Sequence, residues 1–325
     1  MPKSPLLTLP IEAQSEIVSY LIHEKPCLYN LALQSRHLSE IVRPLLFRCV
    51  CLNQSFGKRT FYLFLRSIIE SRLLASLVRE LKLEGREAKQ KDYDTIELLL
   101  TKLDCLKRLK LSGSSNFYQP AAFRHRFLAT GAADSLLSVS VDNVDFSSED
   151  LVKYISLPHL ESLSSLPYTK TSNLHKVFDS RHLSNSTLRK LEIFRHLSIS
   201  SLRDLLDCFP NITSVTTYLP GRFRYFEDER EWHRFSEALA PSAISQLSDR
   251  TKSKLTDLIL VDENVWWASH DESRMDLSRF TSLKRLEVPS LCYFLKDEMT
   301  PSKMKDITHL LPSSLESLKV QSQFQ

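Results

Sequence analysis

The segment Leu106-Lys107-Arg108-Leu109-Lys110-Leu111 has the form L-x-x-L-x-L, and this pattern returns along most of the chain. Alternating apolar residues are typical of a β-strand that buries one of its faces. Each copy of the pattern therefore predicts one strand. Clear copies begin at Val78, Leu106, Leu136, Leu188, Leu255, Leu283 and Leu315, and weaker copies begin at Phe47, Leu160 and Ile212.

The spacing of the copies predicts a repeating α/β fold. From Val78 onward the starts advance by 24 to 32 residues, except for one step of 43. Amphipathic helical stretches, such as residues 61–73 and 202–209, lie between the predicted strands. Strand and helix alternating at this period predict a parallel sheet with helices on its outer side. The long step places an insertion at about residues 218–254.

The repeating part resembles leucine-rich repeats over residues 46–320, although its repeats are irregular and lack the asparagine of the full consensus. The resemblance implies an irregular solenoid, in which parallel strands line a concave face and helices lie outside. We therefore expect a leucine-rich-repeat-like domain at residues 46–325.

Residues 1–45 follow a different pattern. Apolar residues at helical spacing predict three short helices, which Pro26 and Pro44 separate and close. Three short helices are too few to bury these side chains by themselves. Part of their apolar surface must therefore face the rest of the chain or another protein.

Residues 5–50 resemble an F-box, most closely the fungal variety that runs directly into a leucine-rich body. The matching stretches are Leu-Pro-x-Glu at 9–12, Leu-x-Leu-x-Ser-Arg at 31–36 and Pro-Leu-Leu-Phe-Arg at 44–48. A tryptophan of the family pattern is missing near the end of the third helix, where Ile41 and Val42 stand. The resemblance implies binding to a Skp-type adaptor and, through it, to a cullin-based ubiquitin ligase. The residues that it places at the adaptor interface are Leu9, Pro10, Ile11, Ile17, Leu21, Leu31 and Leu38.

Two places on the repeats are candidates for binding a target protein. The x positions of the first copies are mainly basic and should point away from the core; they include Arg79, Lys82, Lys107, Arg108 and Lys110. Such a face favours an acidic or phosphorylated target, but it is also compatible with an ordinary solvated surface. The second candidate is the insertion with Trp232, together with the later loop that holds Trp266 and Trp267, because loops on rigid scaffolds often carry function. The alternative is that these aromatic side chains pack against the solenoid itself.

The composition argues against several other functions. Five glycines in 325 residues are few for a nucleotide-binding fold, and no Walker loop or Gly-x-Ser-x-Gly motif is present. The histidines and cysteines lack the paired spacing of a metal site. We therefore expect no catalytic residue, metal or cofactor, and thus no enzyme.

The charge and hydropathy of the chain bear on its partners and its compartment. The net charge of +4 argues against nucleic acid as a partner, and the lack of a long apolar run argues against a membrane. Dispersed cysteines without a signal peptide suggest the cytoplasm or the nucleus.

Two interpretations of the whole chain remain. In the first, the protein is a substrate receptor of an SCF-type ubiquitin ligase, with the adaptor at the N-terminal helices and the target on the repeats. In the second, it is a leucine-rich-repeat scaffold unrelated to ubiquitin, and the N-terminal helices are its cap. A binding module would leave Leu9, Pro10, Ile17 and Leu21 partly uncovered, whereas a cap would bury them.

Overall fold

The computed structural model describes residues 5–22, 24–53, 58–85, 90–113, 131–142, 154–166, 187–193, 199–218, 241–261, 273–293 and 306–321. The chain divides into two compact units, Met1–Leu137 and Ser138–Gln325, and each is described by itself. None of the helices within the described ranges has both the length and the apolar content needed to cross a bilayer.

The first unit begins with a short 3₁₀ turn at Pro5–Thr8 and three helices: α1 (Ile11–Ser19), α2 (Lys25–Gln34) and α3 (Arg36–Arg48). Pro26 lies in the first turn of α2, where a residue without an N–H is tolerated. The Ser35 hydroxyl caps α3 by accepting a hydrogen bond from the Leu38 amide at 3.1 Å. One side chain from each helix, namely Val18, Leu28 and Val42, forms a fully buried core.

The prediction that the third helix closes at Pro44 is wrong, because α3 continues through Pro44 to Arg48. Proline removes one hydrogen bond from a helix interior without ending every helix that contains it. Here the end of α3 has support from α2. The Lys25 ammonium group donates to the carbonyls of Leu45 and Leu46, at 2.8 and 3.3 Å, and a cation is favourable at this end of a helix.

Three parallel strands follow among the described residues of the first unit: β1 (Cys49–Asn53), β2 (Glu80–Gly85) and β3 (Arg108–Gly113). The equivalent glycines Gly85 and Gly113 are paired at the ends of β2 and β3. The helices between and after the strands are α4 (Lys58–Glu70), α5 (Arg72–Leu77), α6 (Gln90–Leu100) and α7 (Gly131–Asp134).

The second unit contains seven parallel strands among its described residues, and each strand pairs with the next one along the chain. They are β4 (Ser138–Asp142), β5 (Ser162–Leu166), β6 (Lys190–Ile193), β7 (Ser214–Tyr218), β8 (Asp257–Val261), β9 (Arg285–Pro289) and β10 (Ser317–Gln321). The helices are α8 (Ile199–Cys208) and α9 (Asp249–Lys254), and 3₁₀ turns lie at Pro241–Gln246, Ser290–Cys292 and Thr308–Leu310. The 3₁₀ turn at 241–246 and α9 occupy the second part of the predicted insertion.

The predicted α/β fold with parallel strands is confirmed. From β2 to β10, every strand begins two residues after the first apolar residue of a predicted copy. In β2, β3, β4, β6, β8 and β9 the second and third apolar residues of the copy are buried, as Leu109 and Leu111 are, while the residue between them is more exposed. Burial of one strand face thus accounts for the sequence pattern.

Hydroxyl groups reinforce the contacts between successive repeats. The Thr187 hydroxyl donates to the Leu160 carbonyl at 2.8 Å. The Ser314 hydroxyl donates to the Leu283 carbonyl at 2.9 Å. In both cases the hydroxyl residue stands directly before the first leucine of its own repeat and bonds to the equivalent leucine of the preceding repeat.

Candidate protein-interaction surfaces

The N-terminal helices expose several of the residues predicted to bind an adaptor. The exposed fractions of Leu9, Ile11 and Ile17 are 39%, 53% and 44%, and Pro10 is exposed as well. Isolated exposed apolar residues are common, whereas these four lie within nine positions of the chain.

The other three predicted adaptor residues are less accessible. Leu21 and Leu31 are half-buried and pack against the core of Val18, Leu28 and Val42. Leu38 is only 4% exposed. A leucine this deeply buried offers a partner almost no surface, so Leu38 supports the module from inside and is not a contact residue.

Sequence reasoning missed three further exposed apolar residues, Tyr20, Tyr29 and Leu33. Tyr20 follows Ile17 by three positions, and Leu33 follows Tyr29 by four, so each pair consists of neighbours on a helix surface. The sequence did show these three apolar residues next to the core residues Val18 and Leu28, but it did not show that they are exposed. We call Leu9, Ile11, Ile17, Tyr20, Tyr29 and Leu33 the N-terminal apolar set.

A buried glutamine fixes the start of this set. Gln14 of α1 is buried, and its side-chain nitrogen donates to the Leu9 carbonyl at 2.7 Å. Its side-chain oxygen accepts a hydrogen bond from His37 Nε2 at 2.9 Å, which ties the turn to α3. The position of Leu9 and Pro10 therefore depends on Gln14 and His37, which no sequence motif marked.

The basic residues of β2 and β3 are largely engaged with neighbouring groups. Arg108 donates to the Glu80 carboxylate of the adjacent strand at 2.8 Å, and Lys82 forms an ion pair with Glu84. The Arg79 guanidinium donates to the Cys105 carbonyl at 3.2 Å. The two ion pairs, Arg108 with Glu80 and Lys82 with Glu84, lower the charge that the surface presents to a partner. The two remaining predicted residues, Lys107 and Lys110, are half-buried.

Charges also pair between successive strands of the second unit. Arg285 of β9 binds Asp257 of β8, and Lys319 of β10 binds Glu287 of β9 at 2.6 Å. Hydrogen bonds from Lys319 and Gln321 lower the pKa of Glu287 below its usual value. Burial raises the pKa of Asp257, but hydrogen bonds from Arg285 and Thr256 and the charge of Arg285 lower it by more, so this pKa also lies below normal.

The stability of the second unit should decrease in acid. Because folding lowers the pKa of Asp257 and Glu287, their contribution is present above about pH 4, near the unfolded-state values, and is lost as the pH falls through the folded-state values. Both pairs are exposed to solvent, which screens them, so the loss should be small. Urea unfolding at pH 6 and pH 3 would measure the loss, which should be smaller in Glu287→Gln. An unchanged difference between the two pH values in this variant would contradict the assignment.

The aromatic candidates Trp232, Trp266 and Trp267 lie outside the described residues. Within the described ranges, no three His, Cys, Asp or Glu side chains come together as a metal site. A depression lined by Leu206, Phe209, Arg250 and Lys254, among others, offers about 10 Å³, which is roughly the room for one water molecule. It is too small for an organic ligand.

Comparison with known proteins does not assign the chain to a family. No family model matches it, and a search of curated proteins finds no match.

Proposed function

We propose that the protein is a substrate receptor of an SCF-type ubiquitin ligase. In this proposal the N-terminal apolar set binds a Skp-type adaptor, and the strand-bearing part of the chain binds a target protein. The observation that carries the proposal is the exposure of Leu9, just before α1, and of Ile11 and Ile17 on α1, in a module that nevertheless has a buried core of its own.

The energetics favour a binding role for this set. Complete burial of one leucine or isoleucine side chain is worth about 1.5–3 kcal/mol. Exposed tyrosines such as Tyr20 and Tyr29 are also typical of interface centres, because they bring a large contact area with few rotatable bonds. A partner that covers the set therefore has enough apolar surface available for specific binding.

The alternative, a scaffold with an N-terminal cap, receives less support. A cap would bury Leu9, Pro10 and Ile17 against the first repeat, whereas these three residues are exposed. Leu21 is half-buried, and the residues Val18, Leu28 and Val42 against which it packs belong to the helices' own core. The balance of the four residues that distinguish the two interpretations favours a binding module.

The mechanism would be positional. The adaptor end would attach the protein to a cullin-based ligase, and the repeats would hold a target, acidic or phosphorylated if the basic face of β2 and β3 takes part. Joining two binding events in one chain raises the effective concentration of the target near the ubiquitin-charged partner. The protein itself would make and break no covalent bond.

The direct test is reconstitution with a purified Skp-type adaptor. Size-exclusion chromatography with light scattering should show a complex of one chain and one adaptor. The scaffold interpretation predicts that the two proteins elute separately at micromolar concentration. Separate elution would overturn the proposal, whatever the repeats bind.

A further inference from the structure

Two free thiols lie side by side on the exposed face of β1. Cys49 and Cys51 are separated by one residue, and side chains alternate along a strand, so both point to the same face of the sheet. Both cysteines are exposed, and neither is part of a disulfide. Leu52, whose side chain points to the opposite face, is buried. The strand β1 therefore presents a pair of sulfur ligands to solvent.

The spacing of the two thiols is too long for a disulfide but suits one bridging ion. Side chains two residues apart on a strand are parallel, and their Cβ atoms are about 6.6 Å apart. A disulfide needs about 3.8 Å between its Cβ atoms, so it would require the strand to deform. A metal ion between the two sulfur atoms adds two bonds of about 2.3 Å each and spans about 4.6 Å. The two side chains reach this distance by leaning towards each other.

The number of ligands selects the kind of ion. Within the described ranges, no third His, Cys, Asp or Glu side chain joins these two cysteines in a metal-binding group. Zinc takes three or four protein ligands and is therefore poorly matched. The lack of paired cysteine spacing in the sequence bears on such sites and not on a site with two ligands. Thiolates favour soft ions, and copper(I), with its filled d shell, accepts two sulfur ligands in a line.

The charges around the two thiols fit a monovalent ion. Lys25, Lys82, Glu80 and Glu84 act electrostatically on the thiols, and Glu80 is paired in turn with Arg108. These three cations and two carboxylates leave one positive charge in excess. Two thiolates that bind one monovalent ion carry one negative charge, which this excess offsets, whereas the same thiolates with a divalent ion would be neutral.

We propose that Cys49 and Cys51 bind one copper(I) ion as a linear bis-thiolate on the exposed face of β1. The ion replaces the two thiol protons, which pass to solvent, and copper keeps its oxidation state, so no oxidant or reductant is consumed. Partial burial, followed by the charges of Glu80 and Glu84, raises the pKa of both thiols, which therefore carry their protons at neutral pH. This inference does not rest on the proposed function.

Titration of the reduced full chain without oxygen tests the inference. The coloured copper(I) complex of bicinchoninate supplies the ion, and loss of its colour measures transfer to the protein, which we expect to take up one ion per chain. Cys49→Ser and Cys51→Ser should each weaken binding by at least about 100-fold, since changes beyond the ligands alone cost about 10–100-fold. Cys27→Ser is the matched control, because Cys27 is exposed on α2 and its replacement should leave the affinity unchanged.

Three measurements on the wild-type chain are independent of the variants. Calorimetry in two buffers of different ionisation enthalpy should show two protons released per ion. X-ray absorption spectroscopy should show two sulfur neighbours around copper. Mild oxidation followed by mass spectrometry should show no disulfide between Cys49 and Cys51. Thermal unfolding confirms that each serine variant is folded, and these wild-type measurements decide the matter if a variant is not.

Several outcomes would overturn the inference. They are no transfer of copper(I) from the chelator, an equal loss of affinity in Cys27→Ser, three or more ligands around copper, and zinc binding of equal strength at the same cysteines. A disulfide formed readily between Cys49 and Cys51 would refute the spacing on which the site depends.

Discussion

Replacing Ile17 with Asp is expected to abolish binding to a Skp-type adaptor while the protein remains folded. Ile17 is exposed on α1, so a polar residue fits the free protein without strain. Because Ile17 is 44% exposed in the free protein, the variant loses roughly half of the 1.5–3 kcal/mol that full burial would give, and it also places an unpaired carboxylate in the interface, which costs more. Together these terms predict a loss of at least about 100-fold in affinity, since each tenfold step is 1.4 kcal/mol.

Isothermal titration with the purified adaptor would measure this loss. Leu9→Asp, at the exposed turn that Gln14 holds, should give a loss of similar size. Leu73→Asp is the matched control, because it makes the same kind of change at an exposed leucine of α5 in the same unit. An affinity of Ile17→Asp within about threefold of wild type would contradict the placement of the adaptor on the N-terminal apolar set.

The largest expected effect on stability is that of Leu28→Ala in α2. Leu28 is fully buried between Val18 and Val42, and large-to-small changes at such sites cost about 2–5 kcal/mol. These three side chains are the buried apolar core that joins α1, α2 and α3, so little else can compensate for the cavity. The three helices should therefore open locally before the strands do.

Hydrogen exchange read by mass spectrometry would detect this opening. Peptides from residues 11–48 should lose protection in Leu28→Ala, while peptides from β2 and β3 keep it. Leu33→Ala is the matched control, because Leu33 is exposed on the same helix and its truncation should change the free energy of unfolding by less than about 0.5 kcal/mol. Equal protection of residues 11–48 in wild type and Leu28→Ala would show that the helices are held by other contacts.

The strands could be predicted from the sequence because one physical cause sets both the pattern and the structure. Leu109 and Leu111 are apolar since they face the core, and the residues between them are polar since they do not. Even the weak copy at Ile212 led to a strand, β7, because Val215 kept the inward position. The parallel pairing then followed from the helices that separate the strands.

The details of the candidate surfaces could not be predicted, because they depend on contacts between distant residues. Arg108 and Glu80 are 28 positions apart, and only the register of β2 and β3 makes them partners. The sequence gives the number of charges on that face, but only the register shows which of them pair. Likewise, nothing in the local pattern indicated that Gln14 would reach both Leu9 and His37, or that α3 would continue past Pro44.

The pairing of each strand in the second unit with its sequence neighbours affects how this unit would respond to mechanical force. No strand in its described part is held by a distant segment of the chain, so a pull on β10 loads only its bonds to β9. Repeats coupled to their nearest neighbours can separate one after another. Under tension we therefore expect the unit to lengthen in successive small steps, each releasing one strand and its connecting segment, and not to yield in a single rupture.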